Sequence, residues 1–346
     1  MASETVGGTT ARGRQRHLGR WLAVIAGTLA ALLVAGYAAA GYVVYDTLTK
    51  GPVPCWDVDA ANTPDHYTMR AGFDQAIADQ NRMPAPQEVR FASRDPAVEG
   101  PVLAGWWIPS TTAGAPAVVV VHGILSCRRE PNVLVPAGML YRNGYSVLML
   151  DLRDHGDSGG DADHRFAAGT DEYADVLGAW DWVVAQGIAP SKVGILGVSF
   201  GAANAVIAGA AEPSVPAVWA DSAYTEMNRT LALYLESKGY PAWLGPCAAI
   251  WAHVVASDDL TAKSPLYEVD KYAGRHLAFI HGSDDLVLPA EMATQLHDRA
   301  VAAGAQVADV WVVSGAGHTE AVYKDPAGYE ARLVAFFGEA LAHGAS

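Results

Sequence analysis

The sequence predicts a doubly wound α/β domain behind a single membrane helix near its start. Three observations carry this prediction. After Pro86, short apolar runs rich in β-branched residues alternate with longer helical stretches, the pattern of a mostly parallel sheet covered on both faces. An uncharged run of 25 residues, Trp21–Tyr45, follows four arginines; about 20 such residues suffice to cross the hydrocarbon of a bilayer. Finally, Gly197-Val198-Ser199-Phe200-Gly201 lies where one apolar run passes into an alanine-rich stretch.

The chain has 346 residues, of which 51% are hydrophobic and 17% charged. That excludes an intrinsically disordered chain and leaves ample length for a core. The net charge is −14, which argues against nucleic acid as a partner. Residues 1–20 hold Arg12, Arg14, Arg16 and Arg20 against Glu4 and read as a basic cytoplasmic tail. Residues 21–45 then read as a signal-anchor helix, with Trp21 at one end and Tyr37, Tyr42 and Tyr45 towards the other, where aromatic rings favour the interfaces. The arginines should stay inside, placing the body outside the cytoplasm. The rival is a signal peptide cleaved after Ala38-Ala39-Ala40; the apolar run continues past those alanines, which favours an uncleaved anchor. A buried core helix is disfavoured by the arginine flank. No second run of this length occurs, so one crossing is expected. The three cysteines, Cys55, Cys127 and Cys247, form no disulfide framework. An extracytoplasmic body allows one bridge, for which Cys55 to Cys247 is the pairing considered. Without a C-x-x-C pair, no zinc site is expected.

Residues 46–86 form a proline-bearing juxtamembrane linker with one short helix around Ala71–Asn81. The body, 87–346, opens with two antiparallel strands, Glu88–Ser93 and Val102–Ile108. Strands follow at Ala117–Val121, Ser146–Leu150, Val193–Val198, Ala217–Ala220, His276–Ile280 and Ala308–Val313, eight in all. Helices are expected at Asp171–Gln186, Ala202–Ala211 and Ala290–Ala303. Residues 224–262 interrupt the alternation and carry Tyr224, Tyr234, Tyr240, Trp243 and Trp251. They read either as a helical lid over the sheet or as an ordinary pair of packing helices.

Ligands of such sheets bind beyond the carboxyl ends of the strands, so the residues after each strand matter most. Ser199, between a strand and a helix, fits a nucleophile elbow, a strained turn on which the hydroxyl projects. Residues two positions either side must be small to let strand and helix pass. A serine needs a base to take its proton; His318, in the glycine-rich segment after the last strand, is the candidate. An acid should orient that imidazole. Asp284 and Asp285 both follow the strand ending at Ile280, with Asp285 favoured and Asp284 read as a turn residue. The backbone amides of Phe200 and of Ile124, with Leu125 second, are the candidate oxyanion donors. His122 reads as a structural loop residue.

The segments VVVVHG at 118–123, DLRDHGDSGG at 151–160, GVSFG at 197–201, HGSDDLVLP at 281–289 and GAGH at 315–318 resemble those of the α/β-hydrolase superfamily. The likeness runs from about Glu88 to Leu341 and is nearest to bacterial membrane-anchored or secreted serine hydrolases related to prolyl oligopeptidases and serine aminopeptidases. It implies an α/β-hydrolase fold and a triad in the order Ser199, Asp285, His318. It also implies that Asp151 and His155 shape a structural loop, in which Asp154 stands where glycine is common. Asp221 reads as a strand-end residue, and Arg128 and Arg129 as either anion contacts or a solvated loop. Trp106 and Trp107 read as packing residues, and the Asn228-Arg229-Thr230 sequon as a chance match.

The expected activity is hydrolysis of a small-molecule carboxylic ester through an acyl-enzyme, with no cofactor and no metal. Peptide or aminoacyl hydrolysis and acyl transfer are the alternatives on the same triad, and a silent surface binding module is the alternative of another class. The oligomeric state does not follow from the sequence.

Overall fold

The computed structural model describes residues 9–51, 55, 60–95, 100–160, 165, 167, 169–256 and 259–342. The start of the basic tail, with Glu4, and the linker prolines Pro52 and Pro54 lie outside the described residues. Helix α1 (Thr9–Thr49) carries the long apolar run, and the stretch His17–Thr49 is long and apolar enough to cross a membrane. The linker holds α2 (Gln75–Gln80), shorter than predicted because Asp74 caps it by accepting from the Ala76 amide, while the Asn81 amide closes on Ala78.

The sheet consists of β1 (Gln87–Ala92), β2 (Val102–Ile108), β3 (Ala117–Val121), β4 (Ser146–Leu150), β5 (Val193–Val198), β6 (Ala217–Asp221), β7 (His276–Gly282), β8 (Gln306–Val307) and β9 (Trp311–Val313). Its order is β1-β2-β4-β3-β5-β6-β7-β8, with β9 also on β7. β1 and β2 are antiparallel, as is the β2–β4 pair, and every other pairing is parallel. The eighth strand expected at Ala308–Val313 therefore exists as two pieces. Gln306–Val307 pair with the start of β7 and Trp311–Val313 with its end, and the exposed Asp309 lies in the gap.

The strands at the centre are apolar on both faces because helices cover both. Val119 and Val121 belong to one core, with residues of α4 (Glu172–Ala185), α5 (Phe200–Ala211) and α9 (Glu291–Ala302). Val118 and Val120 belong to the other, with α3 (Pro131–Arg142) and α11 (Pro326–Ala342). Two short helices, α8 (Pro265–Glu268) and α10 (Ala321–Lys324), complete the connections around β7 and β9. α5 is alanine-rich because it is buried along nearly its whole length, where larger side chains would push it off the sheet.

The interrupting segment contains α6 (Met227–Ser237) and α7 (Gly245–Val255). These helices pack on each other and on the last turns of α1. Tyr45, Leu231, Leu235, Leu244, Ala248 and Ala252 form a third apolar cluster that Tyr37, Ala40, Val44 and Leu48 join.

The disulfide differs from the pairing considered from sequence. Cys55 is bonded to Cys127, whose Cα lies 5.4 Å away. Cys247 is free and buried; it packs against Gly41 of α1, and a Cβ at position 41 would collide with its sulfur. Helix contact, not bond formation, explains that cysteine. The observed bridge closes 72 residues, for which chain entropy gives a stabilisation of about 4 kcal/mol. Cys55→Ser should lower the unfolding midpoint, and reductant should lower that of the parent to the same value while leaving the variant unmoved.

Candidate active site

Four strand ends meet at the site. Ser199 directly follows β5, with φ 55° and ψ −119°, a backbone conformation that costs a non-glycine residue about 1–3 kcal/mol. The turn is tight on both sides. A Cβ on Gly197 would strike the carbonyl of Gly201, and one on Gly201 would strike the carbonyls of Val121 and His122. Both positions therefore require glycine, a stricter demand than the small residues expected from the spacing.

His318 follows β9 and Asp285 follows β7. His318 Nε2 lies 2.8 Å from Ser199 Oγ, and His318 Nδ1 lies 2.7 Å from Asp285 Oδ2. With the proton on Nδ1, the histidine donates to Asp285 and accepts from the serine hydroxyl. The choice between the adjacent aspartates has a plain geometric reason. Asp285 turns inward, and its Oδ1 accepts from the amides of Val287 and Leu288, both at 2.8 Å. Asp284 is exposed and takes the Ser283 hydroxyl at 2.6 Å.

A second histidine touches the same carboxylate. His281 Nε2, at the end of β7, is 3.1 Å from Asp285 Oδ2 and 2.8 Å from the Leu288 carbonyl. Burial opposes the charge on Asp285, but hydrogen bonds from His281 and His318 and the Leu288 amide outweigh it and hold the carboxyl well below the usual carboxylate range. Burial likewise opposes a charge on His281, and Asp285 with the Leu288 carbonyl overcomes it, raising its pKa. Sequence reasoning gave His281 no role. The signal was its place in the segment HGSDD, three residues before the first of two competing aspartates.

The loop after β3 lies beside the serine, with an ideal Cβ on Gly123 falling 3.4 Å from Ser199 Cβ. Ile124, Leu125 and Phe200 border the same cavity as Ser199, and Leu125 has φ 55°. His122 is buried at the base of this loop. Its Nε2 accepts the Leu152 amide at 3.0 Å, and its Nδ1 lies 2.7 Å from the Gly123 carbonyl. Burial and the neighbouring His155 push its pKa down to about 3, so it is a neutral brace.

Arg128 neither meets solvent nor faces the cavity. It is 1% exposed, forms an ion pair with Asp151 and another with Asp157 at 2.7 Å, and lies 4.6 Å from the centre of the Trp106 ring. Both sequence readings of Arg128 are thus replaced by an internal ion pair that ties the loop after β3 to the loop after β4. Arg129 joins Asp157 at 3.0 Å. In that second loop Asp154 has φ 56°, the left-handed region that glycine tolerates best and aspartate next. Asp221 is buried and receives Ser222 and Tyr329 hydroxyls.

The serine and His318 open into a cavity of about 480 Å³, mostly apolar, walled by Ile124, Leu125, Met227, Leu231, Val287 and Leu288. Tyr45 and Leu48 of α1 line it as well, which sequence reasoning missed. Tyr37, Gly41, Tyr45 and Leu48 recur at helical spacing, and that stripe was the available signal. Arg70 is the one arginine or lysine on this wall among the described residues, and it is paired with Glu130 at 2.6 Å.

Comparison with solved structures finds the same fold elsewhere. The esterase Pf2001 of Pyrococcus furiosus is similar with a TM-score of 0.58 and 25% identity, over 74% of this chain and 93% of that one. The α/β hydrolase GrgF from a Penicillium species gives 0.58 at 17% identity, over 74% and 99% of the two chains. The acylaminoacyl peptidase of Pyrococcus horikoshii gives 0.55 at 16% identity, over 78% of this chain and 44% of that longer one. No curated protein matches the sequence. The profile of the prolyl oligopeptidase family matches residues 135–344, more than half of the chain and every segment from the elbow to the His318 loop. On that match the protein belongs to the prolyl oligopeptidase family and is a serine hydrolase of the α/β-hydrolase fold.

Proposed function

We propose that this hydrolase is a membrane-anchored esterase acting through an acyl-enzyme. Ser199 Oγ attacks the ester carbonyl while His318 Nε2 takes its proton. The same proton then passes to the leaving alkoxide, breaking the C–O bond. Water, deprotonated by His318, attacks the acyl carbon and releases the carboxylic acid. Asp285 holds the imidazole and stabilises its charged form. The amides of Phe200, at the head of α5, and Ile124 stabilise the oxyanion. The observation that carries this reading is the hydrogen-bonded file Ser199–His318–Asp285 at the floor of an apolar cavity. An ester is favoured over a peptide with a free amino end, because no carboxylate among the described residues lines the cavity to receive an ammonium group.

Residues 21–45 anchor the protein, with the body 87–346 outside the cytoplasm and 224–262 as the lid. The Cys55–Cys127 bridge supports that side of the membrane, since disulfides persist in oxidising compartments. Cleavage after Ala40 would remove Tyr37 and Ala38, which bond to Trp243 and Trp251; these contacts support an uncleaved anchor.

The test is a series of p-nitrophenyl esters from acetate to octanoate beside aminoacyl p-nitroanilides, with the full chain in detergent. At about 0.8 kcal/mol per buried methylene, kcat/KM should rise about fourfold for each carbon until the cavity fills. Faster turnover of the anilides, or a flat ester series, would replace this reading with the peptidase one.

A further inference from the structure

The wall of the cavity contains the end of α1, and the contact of that helix with α7 bears on the choice of substrate. Tyr37 of α1 donates its hydroxyl to the Trp243 carbonyl at 2.9 Å, and Trp251 Nε1 donates to the Ala38 carbonyl at 2.7 Å. Trp243, in the short turn Ala242–Leu244 before α7, Cys247 and Trp251 all make these contacts within Tyr37–Tyr42 of α1, about 7.5 Å of its rise. α7 therefore crosses α1 over little more than one turn of it. A helix crossing a membrane span in this way lies along the membrane plane.

The height of the crossing follows from length. About 20 residues from Trp21 fill the hydrocarbon, which ends near Ala40, and Gly41 meets Cys247 at the crossing. α7 thus lies at the membrane surface. Its outer residues suit that place. Ile250 is 60% exposed and Val254 65%, one helical turn apart, and Trp243 beside them is 61% exposed. Tyr42 stacks edge-on against Trp251 at 5.3 Å, giving the interface an aromatic belt. The far end of α1 is fixed to the body by the Asp46–Arg165 pair at 2.6 Å. Three residues after Tyr45, Leu48 already lines the cavity that holds Ser199.

We infer that α7 rests in the bilayer surface and that the substrate is a long-chain acyl ester resident in that bilayer, its chain passing between α1 and the lid to Ser199. This rests on the esterase reading above and adds to it the source of the substrate and the route of entry. Ser199 Oγ displaces the lipid alcohol, and water releases the fatty acid.

The experiment uses the full chain in nanodiscs of phosphatidylcholine and phosphatidylglycerol, 3:1, containing 4-methylumbelliferyl oleate, with p-nitrophenyl butyrate as the water-soluble control. The variant is Ile250→Asp/Val254→Asp. Neither residue lines the cavity, so butyrate turnover should hold while oleate release falls at least tenfold. If the aspartates unfold the lid and both activities fall, Ile250→Ser/Val254→Ser is read in the same way, with a loss of about threefold or more on the oleate alone. Butyrate turnover with no oleate release from the parent, or with equal release by parent and variants, overturns this inference and leaves the esterase. Loss of both substrates in the parent overturns the esterase reading itself.

Discussion

Ser199→Ala removes all labelling by a fluorophosphonate and lowers kcat by about 10⁶-fold, the order seen when a serine nucleophile is deleted from a triad. The adduct mass appears on the parent and is absent from the variant. Two other hydroxyls on the wall are already engaged: Ser126 is hydrogen-bonded to Glu130 at 3.3 Å, and Thr319 Oγ1 accepts from Asn132 at 3.2 Å. The fold should survive, because alanine occupies the φ 55° turn at a cost similar to serine. Ser199→Gly makes the complementary point. It should be equally inactive yet more stable than the parent by about 1 kcal/mol, since glycine relieves the strained backbone. Labelling of the alanine variant, or activity within tenfold of the parent, would move the nucleophile elsewhere.

Asp285→Asn should cost about 10⁴-fold in kcat with KM little changed. The amide can present its N–H₂ to His318 and turn the imidazole to the tautomer that cannot accept from serine. The loss is larger than for a simple hydrogen bond because the same carboxylate also faces His281 at 3.1 Å. A stability effect accompanies it, with a defined sign. The Asp285 carboxyl is held below its ordinary value, so its ionised form stabilises the fold above the unfolded value of about 3.9. That contribution fades as pH falls below this value towards the depressed one. Parent and variant should therefore differ in unfolding midpoint at pH 7 and converge in strong acid. A variant as active as the parent would transfer the orienting role to another acid.

Much of the site is written in short stretches of sequence, for physical reasons. The elbow needs small residues at fixed distances from its serine, so Gly197 and Gly201 mark it. Parallel sheets bind their ligands beyond the carboxyl ends of the strands, so Asp285 and His318 could be sought after β7 and β9. Contacts that depend on remote partners were not legible. The Cys55–Cys127 bridge spans 72 residues and joins a linker to a loop; spacing carries no information on such pairings. The ion pairs of Arg128 arise because Trp106, Asp151 and Asp157 converge on it from separate strands and loops. The last strand divides because Gln306–Val307 align with the start of β7 and Trp311–Val313 with its end, a matter of register that an apolar run does not encode. The wall contributed by α1 was hidden for a different reason: an apolar stripe within an already apolar run does not stand out.

That wall also sets an order in time. The hydrogen bonds joining α1 to the lid connect residues 206 and 213 positions apart. A ribosome adding about 5–20 residues per second needs about 10–40 s to travel that far. For most of this interval Tyr45 and Leu48 have been made and their partners on α6 and α7 have not. The earliest-made part of the cavity wall thus waits on one of the later ones, and the pocket is complete only once α7 has been made.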